Sequence, residues 1–226
     1  MIQGLINRAS KRARRKRAKV FLENFQLDEE TKILDFGSET GRAINAILVG
    51  TNIRPENIYI ADINEAVVME GHRLYGFTPV VIEQSGSLPY PDQFFDIVYS
   101  SSVIEHVTIP KDELWGVSSS RSFREASLLH QHEFANEIRR LGKYYYVQTP
   151  NKYFPIESHT WLPFAGYLSR EFLLPFLRFS NRIWVKKTQP DWHLLTERDM
   201  KALFPEATII KERFVGLTKS VMAISK

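Results

Sequence analysis

Two histidines stand where a proton carrier working near neutrality would be placed. Imidazole is the side chain whose ordinary pKa lies in that range, and His106 and His159 each fall in a loop just past an apolar, strand-like run. Glu157 sits two residues before His159, with Tyr153 nearby, which makes Glu157 and His159 the stronger pair. His106 has a second reading, as an anchor that holds its loop through a backbone hydrogen bond. His72, His130, His132 and His193 fall in helical stretches or connecting loops and receive no role. A different chemistry is suggested near the N-terminus, where Lys32 to Arg42 reads as a buried strand ending in Asp35, then a loop of Gly37, Ser38, Glu39 and Gly41 opening onto a helix. Such a loop brings backbone N–H groups close to a ligand. A second apolar run, Asn57 to Ala61, ends in Asp62, and an acid there can accept hydrogen bonds from both hydroxyls of a ribose. Asp62 could equally serve a turn, as Asn64 does by capping the next helix.

These groups need parallel strands whose carboxyl ends share one edge. Val81 to Glu83 reads as a third strand and Phe95 to Ser100 as a fourth, apolar on both faces except for Asp96. Phe134, Ile138 and Leu141 recur at helical spacing, Gly142 is placed to end that helix in a left-handed conformation, and Lys143 to Thr149 follows as a fifth strand. Thr196 to Asp199 has capping-box spacing ahead of a short helix. Thr208 to Phe214 and Ser220 to Ser225 then form an antiparallel hairpin across residues 215–219. The expectation is an α/β fold: a doubly wound, mostly parallel seven-stranded sheet with helices on both faces and an antiparallel C-terminal hairpin. One domain is the simplest count, with a basic helical arm at 1–30 and a main domain at 31–226 carrying a lid insertion at about 150–195.

Asp35 to Gly41 resembles the D-x-G-x-G-x-G signature of class I, Rossmann-like S-adenosylmethionine-dependent methyltransferases, with Glu39 where the middle glycine usually stands. Ser87 to Val107, which includes Leu88-Pro89, Phe95-Asp96 and Glu105-His106-Val107, resembles a longer segment common in members that act on small molecules. Thr149 to His159 resembles T-P-N-[KR]-Y-x-P-x-E-x-H of a bacterial subgroup. The resemblance implies S-adenosylmethionine as cofactor, bound by Asp35, Gly37, Ser38, Glu39, Gly41, Asp62 and Ile63. It adds Gln84 and Ser85 at the adenine, and Ser100 and Ser101 at the end of the fourth strand. The glycines of a dinucleotide loop, G-x-G-x-x-G, would fall at 37, 39 and 42, where the chain has Gly37, Glu39 and Arg42. No nucleoside-triphosphate loop occurs. With no cysteine and no His-x-x-x-His array, the sequence gives no metal site.

The net charge of +4 conceals a segregation, because residues 8–19 hold eight Lys or Arg and no acid. Leu5, Ala9, Ala13 and Val20 give this run a thin apolar stripe. It reads as a solvated face, as a contact for an anionic membrane surface, or as a nucleic-acid contact, the last disfavoured by the absence of aromatics. The absence of a signal-peptide core or a long uncharged run leads to the expectation of a cytoplasmic protein. From Trp161 to Phe179, six of nineteen residues are aromatic, and Pro163 and Pro175 limit any helix there. So greasy a lid suits an apolar or lipid-linked acceptor. The resemblance therefore implies transfer of a methyl group to a small or lipid-linked acceptor, a hydroxyl being favoured, with His159, His106 and Glu157 as catalytic candidates. Two alternatives stay open: a domain that has lost catalysis and serves as a binding module, and an RNA methyltransferase.

Overall fold

The computed structural model describes residues 2–83 and 86–226. Seven strands form one sheet in the order β3-β2-β1-β4-β5-β7-β6. They are β1 (Ile33–Phe36), β2 (Ile58–Asp62), β3 (Thr78–Val81), β4 (Phe95–Ser101), β5 (Gly142–Pro150), β6 (Thr208–Phe214) and β7 (Leu217–Ser225). The chain starts at β1, steps outward to β3 and returns to β4 on the other side of β1. The switch in direction therefore falls at β1, where doubly wound sheets bind ligands. β1 pairs in parallel with β2 and β4, and β2 with β3, while β6 and β7 are antiparallel.

By its contacts the chain divides into two compact units, one comprising residues up to Tyr99 with Leu141–Tyr146 and Lys226, the other Ser100–Arg140 with Val147–Ser225. The first unit holds helices α1 (Ile2–Asn24), α2 (Arg42–Leu48) and α3 (Glu65–Tyr75). α1 is fastened by Phe21 and Phe25, one helical turn apart and both buried, as is Ala13 two turns earlier. The Phe21 ring meets Phe25 at 5.0 Å, Tyr99 at 5.5 Å and Tyr146 at 5.7 Å. Burying one such ring stabilises by about 1.5–3 kcal/mol. Arg12, Arg14, Arg15, Lys16 and Lys19 are exposed and Val20 is half-buried, whereas Leu5 and Ala9 have side chains outside the described residues.

The second unit holds α4 (Ser120–Leu141), α5 (Arg170–Ile183) and α6 (Glu197–Leu203). Leu173, Leu177, Trp192 and Leu194 form a core cluster there. Arg170 is buried against carbonyls: Nε donates to Val117 at 2.6 Å, Nη1 to Pro190 at 3.0 Å and Nη2 to Leu114. Its guanidinium lies 3.5 Å from the centre of the Phe123 ring, and burial lowers its pKa to about 10, so it stays charged. Glu171 closes the start of α4, accepting from Ser120 N at 3.0 Å and from its hydroxyl at 2.8 Å.

Several sequence expectations shift. The third strand is Thr78–Val81 and not 81–83, because Pro79 is tolerated in an edge strand that pairs along β2. Gly142 does not end α4 in a left-handed turn but begins β5 directly. A Cβ there would stand 2.6 Å from Tyr144 O and 2.8 Å from Val98 Cγ2, so close approach and not φ demands glycine. The final hairpin turns over Val215 and Gly216 alone, both at positive φ, which lengthens β7 to start at Leu217. Pro175 does not stop α5, which runs through it. Both helix caps hold: Asn64 caps α3, and Thr196 with Asp199 caps α6 reciprocally.

Candidate functional site

In the first unit the loop after β1 turns through three left-handed residues, Gly37 (φ 82), Glu39 (φ 50) and Gly41 (φ 72). Gly37 N and Ser38 N donate to Ala61 O at 2.8 and 3.1 Å, and Ser38 Oγ lies 3.4 Å from the same carbonyl, which ties the loop to β2. Glu39 N donates to Asp62 Oδ2 at 3.0 Å, and Asn64 N to Asp62 Oδ1 at 3.0 Å. Asp62 thus serves the turn, and each of its oxygens, having accepted one amide, keeps a lone pair for another donor. Two glycines hold the loop down. A Cβ on Gly41 would meet Ile60 Cγ2 at 2.7 Å, and one on Gly71 of α3 would collide with the Thr40 carbonyl and lie 2.5 Å from Ile60 Cδ1. Asp35 is buried, with Oδ2 lacking a partner. Burial, with the charge of Asp62 added, pushes its carboxyl well above the usual range. Ile63 is exposed beside Asp62.

In the second unit the candidates converge. His159 Nδ1 donates to Glu157 Oε1 at 2.5 Å, and the same carboxylate accepts His159 N at 2.7 Å and Thr160 N at 2.6 Å. Glu157 therefore builds the turn and sets the ring. His159 stacks on Trp192 with 5.3 Å between centroids and meets His106 edge-on at 4.7 Å. His106 Nδ1 lies 3.4 Å from Asp191 Oδ2. Glu105 is fully buried: Oε2 accepts Thr149 Oγ1 at 3.0 Å, while Oε1 has no hydrogen-bond partner and lies 4.0 Å from His159 Nε2. Desolvation raises the Glu105 carboxyl. Desolvation also acts on His106, Glu157 and Asp191, but their hydrogen bonds and opposite charges outweigh it, raising His106 and lowering both carboxylates. A cavity of about 250 Å³ beside Trp192 is lined by Phe123, Arg124, Lys152, Tyr167 and Leu173.

Residues 34–126 match the family model described as a methyltransferase domain. That segment thus reads as a methyltransferase domain, and the seven-stranded sheet is the Rossmann-like fold of class I, S-adenosylmethionine-dependent methyltransferases. Its fold is shared with magnesium protoporphyrin IX methyltransferase from Synechocystis PCC 6803, solved with bound S-adenosylhomocysteine, at 12% identity and a TM-score of 0.55, covering 100% of this chain and 88% of that one. It is shared too with the PH0226 protein from Pyrococcus horikoshii OT3, at 16% identity and a TM-score of 0.55, covering 96% and 90%. No curated protein matches the sequence.

Of the sites expected for a methyltransferase, the structure gathers Asp35, Gly37, Ser38, Glu39, Gly41, Asp62 and Ile63 in one unit and Glu157, His159 and His106 in the other. Ser100 and Ser101 belong to the second unit; Ser100 is buried and Ser101 Oγ donates to Gln148 Oε1 at 2.7 Å. Gln84 and Ser85 lie outside the described residues. Tyr153 is exposed, its carbonyl accepting Tyr167 Oη at 2.7 Å. His193 is structural, Nδ1 lying 3.0 Å from Gln131 Oε1 and its amide donating to Glu105 O at 2.7 Å. Sequence reasoning missed Glu105, Asp191, Trp192 and Gly71. Glu105 stood in the quoted E-H-V segment, whereas Asp191 lies more than eighty residues from His106 and carried no signal.

Proposed function

We propose that this methyltransferase domain methylates a hydroxyl of a small or lipid-linked acceptor. The carrying observation is the His159 imidazole, held by Glu157 through Nδ1 and by Trp192 across its face, with Nε2 left for the acceptor. The N-terminal residues support the cofactor: Asp62 has lone pairs for two ribose hydroxyls, Ile63 offers an apolar face to adenine, and the unpartnered Asp35 Oδ2 with Glu39 suits a cationic ligand. Bound S-adenosylmethionine supplies a methyl group already activated by its sulfonium, so the chain needs chiefly to align the acceptor and manage one proton. His159 receives that proton through Nε2 as the hydroxyl oxygen takes the methyl, and Glu157 balances the imidazolium that results. α5 supports an apolar or lipid-linked acceptor, because Phe172, Phe179 and Ile183 on it are exposed, as is Val185 just beyond. The exposed bases of α1 suit an anionic membrane surface.

The test is His159→Ala, with the acceptor found by screening cell extracts against isotopically labelled cofactor. The rate of methyl transfer should fall by about 10²–10⁴ with cofactor affinity unchanged. Transfer at the wild-type rate would remove His159 from the reaction.

A further inference from the structure

We propose that Glu105, His106 and His159 form a binding site for a single divalent transition-metal ion. One donor atom from each lies within 4.8 Å of the other two, a triad of two imidazoles and a carboxylate. Each ring has a carboxylate at Nδ1, as metal-ligating histidines often do: Glu157 takes Nδ1 of His159 at 2.5 Å, and Asp191 lies 3.4 Å from Nδ1 of His106. For His159 that leaves Nε2, 4.0 Å from Glu105 Oε1, as the donor. Independently of the histidines, Glu105 Oε1 is a buried carboxylate oxygen without a hydrogen-bond partner, and it faces His159 Nε2 at 4.0 Å. A buried carboxylate oxygen without a hydrogen bond is costly unless it is paired or holds a metal. The cluster assembles three carboxylates around two imidazoles in a largely buried place, and a cation offsets that excess negative charge.

The spacing is that of a site before loading. With the donors at most 4.8 Å apart, a point between them lies at most about 2.8 Å from each, and ligation at about 2.0–2.2 Å asks each to move by no more than roughly 0.6–0.8 Å. His159 lies on a turn and His106 ends a short 3-10 helix. The donor set of two nitrogens and one carboxylate oxygen favours zinc, manganese, iron or cobalt over magnesium or calcium. Three protein ligands also leave a position open.

The proposal rests on the reading that this cluster handles the acceptor and changes one step of it. A bound cation would polarise an acceptor hydroxyl at its open position, and Nε2 of His159 would then be a ligand instead of the base.

The test uses the full chain freed of metal with a chelator and titrated with cobalt(II) chloride by calorimetry and visible absorption, then with manganese(II) chloride. One equivalent should bind with a ligand-field spectrum characteristic of histidine coordination. Glu105→Gln and His106→Asn should each weaken it at least about tenfold, and Glu157→Gln or Asp191→Asn by about 10–100-fold. S-adenosylmethionine affinity and thermal stability of the same variants report that they are folded. Binding that is undiminished in Glu105→Gln and His106→Asn would place the ion on surface histidines and overturn the proposal, as would no binding at millimolar cobalt. Methyl transfer that persists undiminished in excess chelator would overturn the metal's part and leave the methyl-transfer reading intact. Stoichiometric, variant-sensitive binding without any methyl transfer would leave the metal site standing and sink the acceptor reading.

Discussion

Gly71→Ala separates two effects of opposite sign. Gly71 lies inside α3, and at an ordinary helical position the change to alanine stabilises by about 1 kcal/mol through helix propensity. Here the new methyl would collide with the Thr40 carbonyl, which is backbone and cannot rotate aside, and would lie 2.5 Å from Ile60 Cδ1. Overpacking of this kind costs about 1–3 kcal/mol, so the clash wins by up to about 2 kcal/mol. For a chain of this length each kcal/mol moves Tm by about 2–4 °C, and the expected loss is up to about 8 °C. The displaced Thr40 adjoins Glu39, whose amide is held by Asp62, so the Kd for S-adenosylmethionine should rise together with the fall in Tm. Differential scanning fluorimetry and calorimetry on the one variant give both numbers. A Tm that rises by the propensity increment with unchanged cofactor affinity would refute the packing argument.

Deleting residues 1–19 should leave cofactor affinity unchanged while reducing flotation with anionic vesicles, and the salt dependence of that flotation should vanish with the arm. Equal flotation of both forms would make the basic run a solvated face. Glu171 is held at a pKa of about 2 by hydrogen bonds from Ser120 N, its own backbone, Ser169 and the Ser120 hydroxyl. A carboxylate lowered on folding contributes stability that is present above its ordinary pKa, near 4.5, and is lost as pH falls toward about 2. The Tm gap between wild type and Glu171→Gln should therefore be widest near neutrality and narrow steadily below pH 4.5, and a gap independent of pH would contradict the assignment.

The parts of the fold that were legible in the sequence are those where local chemistry decides. Asp35 to Gly41 announces strand, turn and helix because small residues at left-handed positions leave few other conformations. Thr196 to Asp199 announces a helix start because its side chains satisfy the orphan amides reciprocally. Gly142 misled because spacing alone does not tell a glycine needed for φ from one needed for close approach to Val98. The third strand was displaced toward its C-terminus because Pro79 weighs against a strand until the edge position is known. The histidine–carboxylate cluster was half legible. His159 and Glu157 are neighbours in sequence, but Glu105, Asp191 and Trp192 meet them only through the fold, and no periodicity encodes such contacts. Glu39 takes, at φ 50, the left-handed backbone that the signature gives to glycine, and its amide completes the bond to Asp62.

Methyl transfer by this chain requires first that the β1 loop and Asp62 hold S-adenosylmethionine. The most direct measurement is calorimetric titration of S-adenosylmethionine into the wild type and Asp62→Ala. The account predicts saturable one-to-one binding by the wild type, weakened in Asp62→Ala by about 1.5–3 kcal/mol, roughly 10–150-fold in Kd. The absence of binding by the wild type at millimolar cofactor, or equal affinity of the two proteins, would contradict it.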